Sequence, residues 1–434
     1  MSPLIITLIA LAVIIIGFAS GKFSYALIAV VGLVILQVGK VLTPAETWSG
    51  FANTTMVLYV SLFVIGGGFT KTSLLTRMKS MLSGYQGNPR AIVWATMGAA
   101  TLLSIFSGVI VAAATIIPVI ISITEDNDKL SRTQILKPAI DISSMWSGTL
   151  PVGLGAGAYL LFNSIVENAG GVGNFTIMDS FVAKIIPLLA CLIWEVLFGW
   201  KLIPKEPQSP LKEFGSAVPT AKLEGGALTT LTPFQDKMAI ILYFGSVLGM
   251  IFVSFVPIVP TYIVAAVCAI LTVLTGVLNE KEAFGSISWT VIFMYAGLLP
   301  LTTALQNSGV GQLLTDGLQT MLGGSTNPYF VTAVFFLIPA VATQFMMNSA
   351  VSAVFMALSA VVCVNLGMDV RCALLASVAA SGCSVLTPMS CPPLAMLYGT
   401  GGYTMKSFFI SGLPLFIIFF VVYVFTAPIF FPFF

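Results

Sequence analysis

The chain alternates long apolar stretches with short polar or glycine- and proline-bearing breaks. Runs at Leu4–Ala19, Phe23–Val41, Met56–Phe69, 180–200, 238–257, 260–278, 288–305 and 408–432 carry few charges and predict helices in a bilayer. The stretches 92–123, 135–166, 328–367 and 373–398 are interrupted instead. Met346-Met347-Asn348-Ser349-Ala350 lies between two apolar segments each too short to cross, and Cys391-Pro392-Pro393 breaks the next segment. Hydrocarbon offers no water to free backbone groups. Non-helical chain at that depth therefore persists only where protein, an aqueous cavity or a ligand covers it, and such breaks point to a binding site.

The order of elements repeats. Leu42-Thr43-Pro44-Ala45-Glu46 is answered by Leu278-Asn279-Glu280-Lys281-Glu282, Ser80-Met81-Leu82-Ser83-Gly84 by Thr320-Met321-Leu322-Gly323-Gly324, and Thr149-Leu150-Pro151 by Leu386-Thr387-Pro388. This predicts a first repeat over 1–200, a polar linker over 201–236 and a second repeat over 237–434. With 92–123 and 328–367 threaded as re-entrant hairpins, Lys22, Lys71, Arg132, Lys137 and the linker lysines share one face, while Lys40, Lys184 and Arg371 fall opposite. The positive-inside rule then makes the linker cytoplasmic and puts both ends outside. The prediction is an all-α polytopic membrane protein of two inverted repeats, each with a re-entrant hairpin and a discontinuous helix, and its site at their shared midplane.

Composition removes other classes. The 434 residues are 58% hydrophobic and 8% charged, with a mean hydropathy of +1.03, which excludes a soluble enzyme and predicts a multi-pass protein of the cell membrane. Leu4–Ala19 lacks a positive leader and a cleavage site and reads as a retained span. A net charge of +2 with no basic-aromatic cluster gives no sign of nucleic acid. Histidine is absent, and the six cysteines lie in or beside apolar segments without metal-ligand spacing. Gly67-Gly68-Phe69-Thr70-Lys71-Thr72 lacks the glycine placement of a phosphate loop. No nucleophile-base or paired-carboxylate constellation suggests catalysis, and no organic cofactor is expected.

These motifs resemble the divalent anion/sodium symporter family of the ion transporter superfamily. The resemblance runs through nearly the whole chain and rests on Met347-Asn348-Ser349, with Ala357 nine residues past the asparagine in a proline position, and on Ser390-Cys391-Pro392-Pro393. It implies a sodium ion held by Thr343, the Asn348 amide and the Met346 and Ser390 carbonyls, all hard oxygens. In the first half the tip becomes Gly108-Val109-Ile110, while Ser104 keeps the place of Thr343 and Gly153 keeps a backbone ligand position. The anion would meet Asn348, Ser349 and the half-helix N-termini near Pro392, with Ser144, Ser147 and Thr149 from the first half. Trp146 would wall an organic group. The resemblance further implies a homodimer in which a transport domain moves as an elevator against a scaffold. An amphipathic helix over Lys71–Gly87 would frame it, with Leu313–Leu322 as repeat partner.

Energetics sharpens the functional expectation. Each charge carried against about 100 mV costs about 2.3 kcal/mol, so importing a dianion costs roughly 4.6 kcal/mol unless cations accompany it. The expectation is a secondary active transporter, not an enzyme, performing sodium-coupled uptake of a small (di)carboxylate or other anion by alternating access. The apolar first tip favours a smaller or singly charged anion. The alternative is a proton-coupled anion transporter or a cation/proton antiporter, with Asp141 as the coupling carboxyl and Glu195 next. An interfacial ion pair of Asp141 with Lys137 is the structural alternative.

Overall fold

The computed structural model describes residues 2–20, 22–73, 89–125, 131–211, 231–255, 259–322, 327–388 and 390–433. Most of the expected Lys71–Gly87 helix and the middle of the linker lie outside them. Among the described residues all regular structure is helical. Among the described residues six stretches are long and apolar enough to cross a membrane, and seven shorter apolar helices accompany them.

The first half runs α1 (Pro3–Ser20), α2 (Tyr25–Val38), α3 (Pro44–Trp48), α4 (Thr54–Thr70), α5 (Pro89–Ser107), α6 (Val109–Glu125), α7 (Arg132–Trp146), α8 (Ala158–Asn168) and α9 (Asp179–Trp194). A 3-10 turn, Gly153–Gly157, precedes α8, and a π turn, Glu195–Gly199, extends α9. The second half runs α10 (Pro233–Phe255), α11 (Thr261–Leu274), α12 (Glu280–Ser286), α13 (Trp289–Asn307), α14 (Val310–Leu322), α15 (Pro328–Ala342), α16 (Asn348–Leu366), α17 (Val370–Gly382), α18 (Pro392–Thr400) and α19 (Met405–Phe430). Among the described residues each half presents two helices, a short capped helix, a longer helix, a helix pair, a helix in two pieces and a closing helix, with α14 additional in the second half.

The short helices show why the sequence pairs them. Thr43 and Asn279 both build capping boxes, each accepting from the backbone of a glutamate three residues on, Glu46 or Glu282, whose carboxylate returns the bond. Packing partners also exchange between the halves: α2 lies against α13 and α11 against α4, while α9 pairs with α19. Close approaches use glycine. A Cβ on Gly50 would sit 2.0 Å from the Ala296 carbonyl oxygen on α13. At the end of α4, Lys71 meets Glu282 at 2.5 Å, and Ser73 donates twice to the Asp236 carboxylate at the start of α10.

Candidate transport site

The second-half site assembles where α15 ends, α16 begins and the chain between α17 and α18 leaves the helical path. Met347 takes an extended conformation as N-cap, so Asn348 opens α16. Thr343 Oγ1 donates to Asn348 Oδ1 at 2.9 Å and to the Ser381 carbonyl at 3.1 Å. Asn348 Nδ2 donates to Ser384 Oγ at 2.8 Å, and its backbone N–H to the Ser390 carbonyl at 3.2 Å. Ser390 Oγ donates to the Ser384 carbonyl at 3.0 Å. Thr343 and Ser390 are fully buried and Met346 is buried. Asn348 and Ser349 are only half-buried, which leaves the tip reachable. The Thr343 hydroxyl, the Asn348 amide oxygen and the Ser381 carbonyl therefore gather at one point. All belong to neutral groups, a donor set that suits a hard monovalent cation.

Gln344 locks the break. Its Nε2 donates to the Ala340 carbonyl at 2.9 Å, its Oε1 accepts from Leu386 N–H at 3.2 Å, and its own carbonyl accepts from the Thr387 hydroxyl. Pro392 and Pro393 occupy the first two positions of α18. A proline there suits helical geometry and has no N–H to leave unpaired, so this helix start offers few donors to an anion. Asn348 and Ser349 at the start of α16 carry N–H groups, that of Asn348 donated to the Ser390 carbonyl.

The first half repeats the scaffold of this site without its amide. Gly108, at φ +84°, turns α5 into α6 and accepts the first helical bond from Ala112 N–H, as Met347 does from Val351 N–H. Val109 thus stands where Asn348 stands. Ser104 Oγ donates to the Ser143 carbonyl at 2.7 Å, the counterpart of Thr343 on Ser381. Gly153, at φ +56°, lies against the hairpin end, its Cβ position 3.5 Å from the Ile105 carbonyl oxygen. Tyr243 of α10 fills the remaining space: its hydroxyl donates to the Phe106 carbonyl at 2.7 Å, and its ring stacks on Phe69 at 4.2 Å. Tyr25 of α2 approaches the Met347 backbone, so each hairpin end meets a tyrosine from the opposite half.

Of the other expected residues, Ser144 comes closest to the second-half site. Its hydroxyl is buried, and the Cys391 thiol neighbours both it and Ser384. Thr149 is buried with its hydroxyl turned back to the Met145 carbonyl at 3.5 Å, and Ser147 caps α7 half-buried. Neither meets the Asn348 cluster. Trp146 Nε1 is buried without a partner. Asp141 pairs with Lys137 at 2.5 Å, with side chains 3% and 1% exposed, so the pair is buried among the helices. Lys137 is accordingly not a loop charge. Reading residue by residue missed Tyr25, Tyr243, Gln344 and Ser384; Gln344 alone carried a signal, a polar residue in an apolar hairpin.

Residues 9–380 match the citrate transporter family, over most of the chain. The chain belongs to that family. The sodium-dependent dicarboxylate transporter SdcS of Staphylococcus saprophyticus is 20% identical over 92% of this chain and 81% of its own length. The uncharacterized transporter sll0640 of Synechocystis is 32% identical over 34% of this chain, and the chain spans 24% of that relative's length. Among solved structures, MtrF of Neisseria gonorrhoeae, described as illuminating a class of antimetabolite efflux pumps, shares the fold at a TM-score of 0.58 with 14% identity, covering 99% of this chain and 95% of that one. Among its described residues this citrate transporter family member has six helices long and apolar enough to cross a membrane.

Proposed function

We propose that this citrate transporter family member couples sodium entry to the uptake of a small dicarboxylate or related carboxylate anion by alternating access between two inverted repeats. The observation that carries the reading is the Thr343–Asn348–Ser381 oxygen cluster at two broken helices. The sodium dependence and dicarboxylate substrate in the name of SdcS support it. Asn348, Thr343, Met346 and Ser390 hold the cation, and Asn348 and Ser349 offer the anion side-chain donors at a positive helix end. The exchange of packing partners between the halves supports the inverted arrangement. α5 to α9 and α15 to α19 form the moving unit, and the remaining helices build a dimeric scaffold. The first-half site, lacking the amide and closed by Tyr243, binds a cation weakly.

A thermal-shift titration of purified protein and Asn348→Ala, in sodium and in choline, with succinate, malate, citrate and acetate, tests the assignment. The expected result is stabilisation by a di- or tricarboxylate only in sodium, lost in the variant. Stabilisation by acetate alone would move the substrate to a monoanion. Sodium-independent responses would contradict the coupling.

A further inference from the structure

Apart from the transport site, a cavity of about 520 Å³ lies between α14 and the second-half hairpin. Leu314 and Gly317 of α14, Phe335 and Pro339 of α15, and Leu358 and Val362 of α16 wall it. Ser359 is the one polar side chain among its described lining residues, and its hydroxyl is committed to the Phe355 carbonyl and to Ser377 Oγ, each at 2.7 Å. The described lining thus leaves no side-chain donor or acceptor for a polar ligand. Close-packed interiors hold few voids larger than a water molecule, and a cavity without polar partners stays dry. A space within the roughly 300–1,000 Å³ of small-molecule sites and lined in this way suits an apolar occupant.

The surroundings decide which one. Leu313 and Ile338, 50% and 48% exposed, edge the cavity, so it opens to the outside of the helix bundle. Phe330, Leu337 and Val341 of α15 are exposed as well, and hydrocarbon covers such a surface in a chain with six stretches long enough to cross a bilayer. α14 carries a polar row on another side. Gln312, Asp316 and Thr320 are exposed at four-residue spacing, and Gln312 Nε2 donates to Asp316 Oδ1 at 2.8 Å. A helix with one polar row and apolar residues on another side fits the boundary between headgroups and acyl chains. The cavity on its apolar side then lies at acyl-chain depth.

We infer that this cavity is a binding site for one acyl chain of a membrane phospholipid, which enters between Leu313 and Ile338 and packs against both arms of the hairpin. The headgroup stays outside, level with the polar row of α14. Pro339 links the site to the hairpin end, because it lines the cavity and its carbonyl accepts the Thr343 N–H at 2.9 Å. The acyl chain therefore packs on the last turn of α15, the turn that presents Thr343 to Asn348. A Cβ on Gly317 would meet nothing within 4 Å, so a larger side chain there enters open space.

Photolabelling of the full chain in phosphatidylcholine vesicles tests the site without any transported substrate. One arm uses phosphatidylcholine with a diazirine on one acyl chain, and the other uses a diazirine-bearing free fatty acid at the same concentration. Label on Leu313 and Ile338 reports surrounding lipid, whereas label on Leu358 and on Val362, 5% exposed, reports entry. The expected result is strong phospholipid label at Leu358 in the wild type. That label should fall several-fold in Val362→Phe and in Gly317→Leu, which fill the cavity from different walls, while label on the exposed Leu248 of α10 and cooperative melting are retained. Label confined to the exposed residues, or equal label at Leu358 in wild type and both variants, would overturn the proposal. Labelling of Leu358 by the fatty acid alone would replace the phospholipid with a free acid and overturn it too. A dimer free of phospholipid in native mass spectrometry, with Leu358 unlabelled, would give the cavity to a second copy of the chain and likewise contradict it.

Discussion

Asn348 concentrates more of the site than any other residue, because its amide accepts from Thr343 and donates to Ser384 while its backbone reaches Ser390. Asn348→Ala leaves those partners without it, at a cost of about 1–3 kcal/mol for unsatisfied buried groups. The expected outcome is a lower melting temperature and uptake reduced at least about tenfold, since a factor of ten corresponds to only 1.4 kcal/mol. Ser104→Ala removes a single bond to the Ser143 carbonyl, worth about 1 kcal/mol, and should leave most uptake intact if the second half holds the coupling cation. Comparing sodium dependence in the two variants checks this asymmetry. Asn348 was legible in the sequence because a polar residue between two truncated apolar runs must find polar partners at a depth where lipid supplies none. Tyr243 and Ser384 were not, since a tyrosine in an apolar helix and a serine in a small-residue segment take their meaning from partners 137 and 36 positions away.

The paired short helices and the breaks carry the element scale. Thr43→Ala and Asn279→Ala each remove a capping box and should cost about 1 kcal/mol, read as matched drops in thermal stability. Glu282 adds a pH dependence: the Lys71 ammonium, and then the Asn279 backbone amide, hold its carboxyl below its ordinary range near 4.5. A folded value below the unfolded one means the contribution is complete at neutral pH and is lost as pH falls through that lower folded value. Both side chains are partly exposed, 22% and 34%, so Glu282→Gln should lower stability at neutral pH by less than about 1 kcal/mol, a difference that fades in acid. Gly412 on α19 packs where a Cβ would meet the Val385 carbonyl oxygen at 2.2 Å. Gly412→Ala should therefore push α19 from the break and impair uptake more than it lowers melting temperature, as paired transport and unfolding curves would show. The capping boxes were readable as Thr-Pro-Ala-Glu and Asn-Glu-Lys-Glu. The π turn at Glu195 was not, because it lies within an apolar run whose pattern is that of an ordinary helix.

At the scale of the whole molecule, the proposed pair of repeats would give a single chain two related hairpin ends, at Gly108 and at Met347. The places of the long helices among the described residues followed from apolar run length, which the bilayer makes unusually informative. The divergence between the halves was also visible, as Val109 in the place of Asn348. How the halves pack against each other, with α2 on α13 and α11 on α4, was not, since lipid-facing and helix-facing apolar positions look alike in sequence. Everything proposed for transport turns on sodium at the Asn348 cluster driving carboxylate uptake. Uptake of labelled succinate and citrate into proteoliposomes under an inward sodium gradient, with wild type and Asn348→Ala side by side, measures that drive. Accumulation of at least one of them should need the gradient and disappear in the variant. Equal uptake with sodium replaced by choline, or undiminished uptake by Asn348→Ala, would contradict it.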